Sequence, residues 1–214
     1  MLKKSLLSLL LASFAVSVSA HQIWIERDGS ASARIYVGDA DGQPDSGDDV
    51  AKLKTATQVF ITDPAQRAAL TVKKDHLEAD VKGAGDVRLV NDLVWEPWKN
   101  REGKYEAAIF NARAGRSETA AKLDFELVPT AANGNVFTLT FKGKPLAGKE
   151  VTVINPEKWS KRFQTDKEGR ITVPSGDKGR FVLVGHHQVA ADTEIAGRKV
   201  EKLSYITTLS FVAQ

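Results

Sequence analysis

Residues 136–141 read VFTLTF, and residues 180–184 read RFVLV. In the first stretch, aromatic or aliphatic residues at 137, 139 and 141 alternate with threonines at 138 and 140. Successive side chains of a strand point to opposite faces, so an alternation of period two predicts a β-strand. Further short runs of this kind, separated by turns rich in Gly, Pro and Asp, follow at residues 150–154, 163–165, 170–173 and 203–211. This arrangement predicts an all-β fold, a β-sandwich.

The chain before residue 131 has the same pattern, with short alternating runs at residues 22–26, 33–37, 58–61 and 86–90. Between them, residues 38–49 are rich in Gly and Asp and predict an exposed loop, without the ligand spacing of an EF-hand calcium loop. Only residues 64–70 and 117–122 could form short helices. A break of small and polar residues at 131–135 divides the sequence into a predicted N-terminal β-rich domain, 21–130, and a predicted C-terminal domain, 136–214.

The first twenty residues have the organisation of a signal peptide. Lys3 and Lys4 precede an apolar run from about residue 6 to residue 16, and the small residues at 18–20 suit signal peptidase. An uncleaved anchor is the alternative, but the apolar run is shorter than the roughly 20 residues that span a bilayer. We therefore predict cleavage after Ala20, export to the periplasm, and a mature chain that begins at His21 without a membrane anchor.

Composition excludes several classes of protein. The chain has no cysteine, which excludes disulfides, thiolate metal sites and a catalytic thiol. Loss of the two signal lysines would lower the formal net charge from +3 to +1. No segment clusters basic residues with aromatic ones, so nucleic acid is not an expected partner. Motifs of serine hydrolases, zinc proteases and phosphate-binding loops are also absent, and we expect no catalytic or cofactor-binding residues.

The four histidines are the candidate ligands of a metal ion. His21 would carry a free α-amine after cleavage, so its amine and Nδ1 could chelate one ion, and an ordinary α-amine loses its proton near neutral pH. A second imidazole would complete a nitrogen-rich set of the kind that suits Cu²⁺ or Ni²⁺. His76 lies among charged residues and is predicted to be on the surface.

His186 and His187 follow directly on the predicted strand 181–184. Neighbouring residues of a strand point to opposite faces, so only one of the two can face a given site unless the strand bends at Gly185. Parity with Phe181 and Leu183 slightly favours His187. The alternative interpretation is that these histidines are incidental surface residues.

Four segments together carry a resemblance to a known family: residues 20–26 (AHQIWIE), 141–153 (FKGKPLAGKEVTV), 165–170 (TDKEGR) and 179–187 (GRFVLVGHH). They resemble a family of periplasmic proteins associated with cobalt and nickel uptake, whose domain has no assigned function. The resemblance implies a two-part β architecture in which the C-terminal part, 136–214, is similar to an immunoglobulin-like or carboxypeptidase-regulatory-like module. It also implies a metal site in which His21 matches the family's N-terminal histidine, His186 matches a histidine after a late strand, and His187 is additional.

The sequence therefore predicts a non-enzymatic periplasmic protein that binds a divalent transition metal, with His21, His186 and His187 as candidate ligands. Ni²⁺ and Co²⁺ are favoured and Cu²⁺ is the alternative. A membrane or outer-membrane metal transporter is the expected partner. Two other hypotheses stay open: a structural or interaction module that binds no metal, and, less favoured, a copper enzyme that activates oxygen.

Overall fold

The computed structural model describes residues 21–174 and 176–214, and the predicted signal peptide lies outside this part of the chain. The fold is all-β and sandwich-like, as the alternating pattern predicts. Within the described residues no helix has the length and apolarity to span a bilayer. The elements, in chain order, are β1 Gln22–Glu26, β2 Ala33–Gly38, α1 Asp48–Ala56, β3 Gln58–Phe60, β4 Ala69–Val72, β5 Leu77–Asp80, β6 Val87–Asn91, β7 Trp98–Lys99, β8 Tyr105–Ala114, β9 Phe125–Pro129, β10 Val136–Phe141, β11 Lys144–Pro145, β12 Glu150–Ile154, β13 Ser160–Gln164, β14 Arg170–Thr172, β15 Gly179–Ile195 and β16 Arg198–Ala213.

One large sheet forms the middle of the molecule, with strand order β13-β12-β15-β16-β8-β6-β3 and β7 paired to β8. Strands β8 and β16 run parallel, in register from Lys202↔Glu106 to Ser210↔Ala114. The predicted boundary at 131–135 lies between these two strands in the sequence. The large sheet is therefore built from both sides of that boundary, and the division into two domains stays a prediction.

Two small sheets cover opposite faces of the large sheet. The first small sheet has the order β1-β2-β5-β4, and the second has the order β11-β10-β14 with β9 on β10. Along β15, Val182 and Val184 belong to the first core, under the first small sheet, and Phe181 and Leu183 belong to the second core. The alternation of β15 therefore supplies two cores at once, which explains why residues 181–184 are continuously apolar.

Helix α1 is the one α-helix among the described residues, and the sequence analysis did not predict it. It arises at the end of the acidic stretch because Val50 and Leu53, three residues apart, are both fully buried on one helix face. Asp48 and Asp49 in its first turn suit the helix dipole. Residues 64–70 and 117–122, which the sequence left as possible short helices, are not helical: residues 64–68 are turn and irregular structure, residues 69–70 begin β4, and residues 117–122 are irregular.

A buried ionic network ties β6, β8 and β9 together. Arg88 and Arg113 are both fully buried, and one Glu126 carboxylate oxygen accepts 2.9 Å hydrogen bonds from each of them. Asp86 also pairs with Arg113, and Glu118 pairs with Arg88 at 2.9 Å. Every charge in this network has an opposite partner, as burial of charged groups requires.

Candidate functional site: a cavity that collects three histidines

A cavity of about 920 Å³ brings together His21, His186 and His187, although His21 is far from the other two in the sequence. Its walls come from β8, β15 and β16 of the large sheet, from the segment at 95–98, and from His21. The lining residues are His21, Trp95, Glu96, Trp98, Glu106, Ala108, Phe110, Lys149, His186, His187, Gln188, Ser204, Tyr205 and Ile206. A cavity of this size and mixed chemistry is of the kind that binds small ligands.

His21 lies directly before β1, which pairs with β2 from Gln22↔Gly38 onward. Its Nε2 lies 3.3 Å from a carboxylate oxygen of Asp45. The loop that carries Asp45 is held in place because the Asp45 N–H donates a 2.8 Å hydrogen bond to the Val37 carbonyl. A carboxylate beside Nε2 favours the tautomer with its proton on that nitrogen, which leaves the Nδ1 lone pair available.

Trp95 forms the wall beside His21. The two rings meet edge to face with their centroids 5.8 Å apart, and Trp95 packs in turn on Phe110 at 5.2 Å. The segment carrying Trp95 is ordered by Asn91, whose side-chain oxygen accepts hydrogen bonds from the N–H groups of Leu93 and Val94. The aromatic wall is thus anchored to the end of β6.

His186 points to the cavity face of the large sheet. Strand β15 does not bend at Gly185, which pairs with both Val151 and Thr207 in regular register. His186 therefore shares a face with Val184 and with its partner Ile206 on β16. The ring is open to solvent through the cavity, yet the protein around it removes part of its hydration, and this burial lowers its pKa despite the opposing effect of Glu150. A lowered pKa keeps the imidazole neutral, the form that binds metals.

His187 borders the same cavity, but its ring lies on the other face of the sheet. It is 4.7 Å from the Phe141 ring and 5.9 Å from the Phe125 ring, measured between centroids. Burial, followed by the nearby charge of Lys149, lowers its pKa. His187 does share a face with Phe181 and Leu183, as its parity predicts, but that face is the second core. The geometry brings His186, rather than His187, to the face that carries most of the cavity wall.

The remaining candidates lie elsewhere. His76 is not part of the cavity wall. Its Nδ1 lies 2.8 Å from an Asp75 carboxylate oxygen, and its ring packs on Tyr36. Across residues 21–174 and 176–214, no group of three or more His, Asp or Glu side chains is arranged to hold a metal ion. A site at His21 would therefore depend on a main-chain donor, the α-amine that cleavage after Ala20 would expose.

Several cavity residues were missed by the sequence analysis. Trp95 and Trp98 belong to a Trp-Glu-Pro-Trp segment outside the long strands, and two tryptophans in such a segment are a signal of a binding surface that could have been followed. Asp45 is not in the cavity wall, and its contact with His21 was also missed, because the sequence shows it only as one of several acidic residues in an exposed loop. Glu106 and Lys149 had no signal in the sequence, because the pairing of β8 and the position of the residue before β12 bring them to the cavity only in the folded chain.

No family model matches the chain, and no curated protein is significantly similar to it. The resemblance to the cobalt and nickel uptake family therefore stays a prediction that rests on the four quoted segments.

Proposed function

We propose that the exported protein binds a divalent transition metal, Ni²⁺ or Co²⁺ and alternatively Cu²⁺, and passes it to a membrane or outer-membrane transporter. The α-amine and Nδ1 of His21 and the imidazole of His186 are the proposed ligands. One observation carries the proposal: His21 and His186, which are far apart in the sequence, line one cavity. The metal is cargo, and the protein acts by binding and releasing it.

The position of Asp45 supports this donor set. Histidines that bind metals usually donate their second ring N–H to a carboxylate or carbonyl oxygen, which orients the ring and makes the binding nitrogen more basic. Asp45 lies at the His21 Nε2, so Nδ1 is the nitrogen left for the metal. Nδ1 is also the ring nitrogen that can form a chelate with the α-amine of the same residue.

Three nitrogen donors suit reversible transport. They match the preference of Ni²⁺ and Cu²⁺ for nitrogen-rich sites, and imidazole also binds other divalent ions of the first transition row. Three donors leave at least one coordination position open, through which a ligand of the receiving protein can begin the exchange. Transfer to a transporter requires such an opening.

Isothermal titration with Ni²⁺, Co²⁺ and Cu²⁺ tests the proposal. The protein that begins at His21, with its first residue verified by mass spectrometry, is compared with a variant that has one alanine inserted before His21. We expect about one metal ion per chain, with tight binding lost in the extended variant because its first amine is no longer on His21. Equal affinity of the two forms would contradict the chelate.

Three histidine variants identify the second residue that binds the metal, besides His21. His186→Ala should lower the affinity of the processed protein by at least about tenfold, since it removes one of three donors. His187→Ala should leave the affinity within about twofold of the wild type, because its ring packs on Phe141 in the second core. His76→Ala is the matched control outside the cavity. Absence of metal binding in every form would instead favour a structural or interaction module.

A further inference from the structure

We propose that the cavity takes the metal as a complex with a small organic chelator of the α-amino-acid class, rather than as a bare ion. This inference rests on the proposed function, since it assigns the remaining space and the remaining coordination positions of the same site. The observation behind it is the mismatch between one metal ion and a cavity of about 920 Å³ with aromatic walls.

The volume is the first argument. A water molecule occupies about 30 Å³ in the liquid, so an ion surrounded by six waters needs roughly 200 Å³. The cavity is several times larger and lies within the range of roughly 300–1,000 Å³ that is typical of small-molecule sites. Space on this scale fits a metal together with an organic ligand.

The coordination sphere is the second argument. His21 and His186 together offer three nitrogens, and the described part of the chain places no group of three His, Asp or Glu side chains that could form a site without the amine. A tetragonal site of the kind that Ni²⁺ and Cu²⁺ adopt has up to about six positions, so about three stay open once the three nitrogens have bound. An amino acid would fill two of them through its own amine and carboxylate, which leaves one position for exchange.

The chemistry of the walls identifies the class of chelator. Trp95, Trp98 and Phe110 form an apolar aromatic side, on which a flat ring can pack. Lys149 and Glu96 supply one positive and one negative group to the same cavity. In the complex the amine binds the metal as a neutral group whose N–H can still donate to Glu96, and the carboxylate oxygen that is not on the metal can accept from Lys149. This pair therefore suits a ligand with one donor group and one carboxylate better than a ligand with several negative charges.

Glu106, the other carboxylate of the wall, already has partners. It accepts hydrogen bonds from the Ser204 hydroxyl and from Gln188, and Lys202 lies 3.6 Å from its other oxygen. Its charge is therefore largely compensated. Glu96 and Lys149 remain the charged groups that can distinguish among ligands. An amino acid with a flat side chain, such as histidine, can contact this charged pair and also pack on the aromatic side of the cavity.

Equilibrium dialysis with radiolabelled L-histidine tests the inference on the processed protein. The label is measured inside the protein chamber with protein alone, with Ni²⁺ alone, and with both together. We expect about one histidine retained per chain only when protein and Ni²⁺ are both present. Citrate, a chelator with three carboxylates, should be retained at least about tenfold more weakly, since Glu96 opposes the added negative charge.

Two variants locate the chelator without touching the proposed metal ligands. Trp98→Ala and Lys149→Gln should each reduce histidine retention by about tenfold and leave the binding of Ni²⁺ alone unchanged. Trp159→Ala and Lys144→Gln are the matched controls, since both residues are exposed and lie outside the cavity wall. Neither control should alter retention.

The outcomes separate this inference from the proposed function. If Ni²⁺ binds but histidine stays free, the chelator is wrong and the metal site stands. Retention of histidine without metal, or stronger retention of citrate, would also overturn the inference. If neither Ni²⁺ nor its histidine complex binds the processed chain, the proposed function itself fails.

Discussion

Asp45 lies beside His21, with a carboxylate oxygen 3.3 Å from Nε2, and it is partly open to solvent. Its proposed role is to orient the imidazole for the metal. Replacing an orienting partner of this kind typically costs 10- to 100-fold in metal affinity, so Asp45→Ala should weaken Ni²⁺ binding by about tenfold or more. Isothermal titration of the processed variant measures the change.

The matched control for Asp45 is Asp49→Ala. Asp49 comes from the same acidic stretch, but its carboxylate pairs with Lys52 on α1 at 2.8 Å, away from the cavity. This variant should bind Ni²⁺ as the wild type does. An Asp45 variant with unchanged affinity would show that the carboxylate is only a neighbour of His21.

At the scale of the elements, Glu126 on β9 holds two strands of the large sheet. One of its oxygens accepts hydrogen bonds from Arg88 on β6 and Arg113 on β8, and the other accepts from the N–H groups of Lys122 and Leu123. Glu126→Gln would leave two buried guanidinium groups with too little negative charge. We expect a loss of about 3–5 kcal/mol in the free energy of unfolding, measured in urea.

The same measurement on a surface pair is the control. Glu102 and Lys104 are exposed and 3.6 Å apart, so Glu102→Gln should change the free energy of unfolding by less than about 0.5 kcal/mol. If the Glu126 and Glu102 variants had equal stability, the ionic network would not hold β9 to the large sheet as strongly as its burial indicates.

Acid stability is a property of the whole molecule that follows from this network. Burial by itself raises the pKa of Asp86, but the Arg113 guanidinium and the N–H groups of Glu118 and Ser117 outweigh it and lower the pKa. For Glu118, burial is likewise outweighed by hydrogen bonds from Lys122 and Arg88, and its pKa is also lowered. Both carboxylates therefore stabilise the fold above the pKa values of the unfolded chain, about 4.

This stabilisation is lost as the pH falls through the lowered pKa values of the folded state. The contribution of these two carboxylates should be nearly constant from pH 7 to about pH 5 and decrease steeply below about pH 4. His186 and His187, whose pKa values are also lowered by burial, should add a smaller decrease that begins below about pH 6.5. Urea titrations at a series of pH values measure the free energy of unfolding. Asp86→Asn should flatten the acidic part of the curve, and an equally steep decrease in that variant would assign the effect to other groups.

The parallel pairing of β8 with β16 joins the large sheet into one unit, and each of the two cores is packed against this sheet. We expect calorimetry to show a single unfolding transition, because neither core retains its wall when the large sheet separates. Leu89→Ala in the first core and Leu139→Ala in the second remove fully buried side chains. Each should cost about 2–5 kcal/mol and lower the midpoint of that same transition. Two transitions, each shifted by one variant, would instead favour independent domains at 21–130 and 136–214.

What the sequence determined by itself was local. The alternation at 136–141 and the short apolar run at 181–184 predicted strands and the all-β class, because side-chain direction in a strand depends only on position along the chain. The same rule predicted that His186 and His187 face opposite ways. It did not predict α1, since the acidic residues at its start read as an exposed loop and the burial of Val50 and Leu53 depends on the sheet beneath them.

The tertiary structure decided which face of β15 carries the cavity. Strand pairing places His186 level with Ile206 and, one strand further, with Phe110, while His187 meets Phe141 of the second core. It also brought Asp45 to His21 and Trp95 to Phe110, across long separations in the sequence. Such contacts depend on register and on the packing of one sheet over another, and alternation within a single strand contains no information about either.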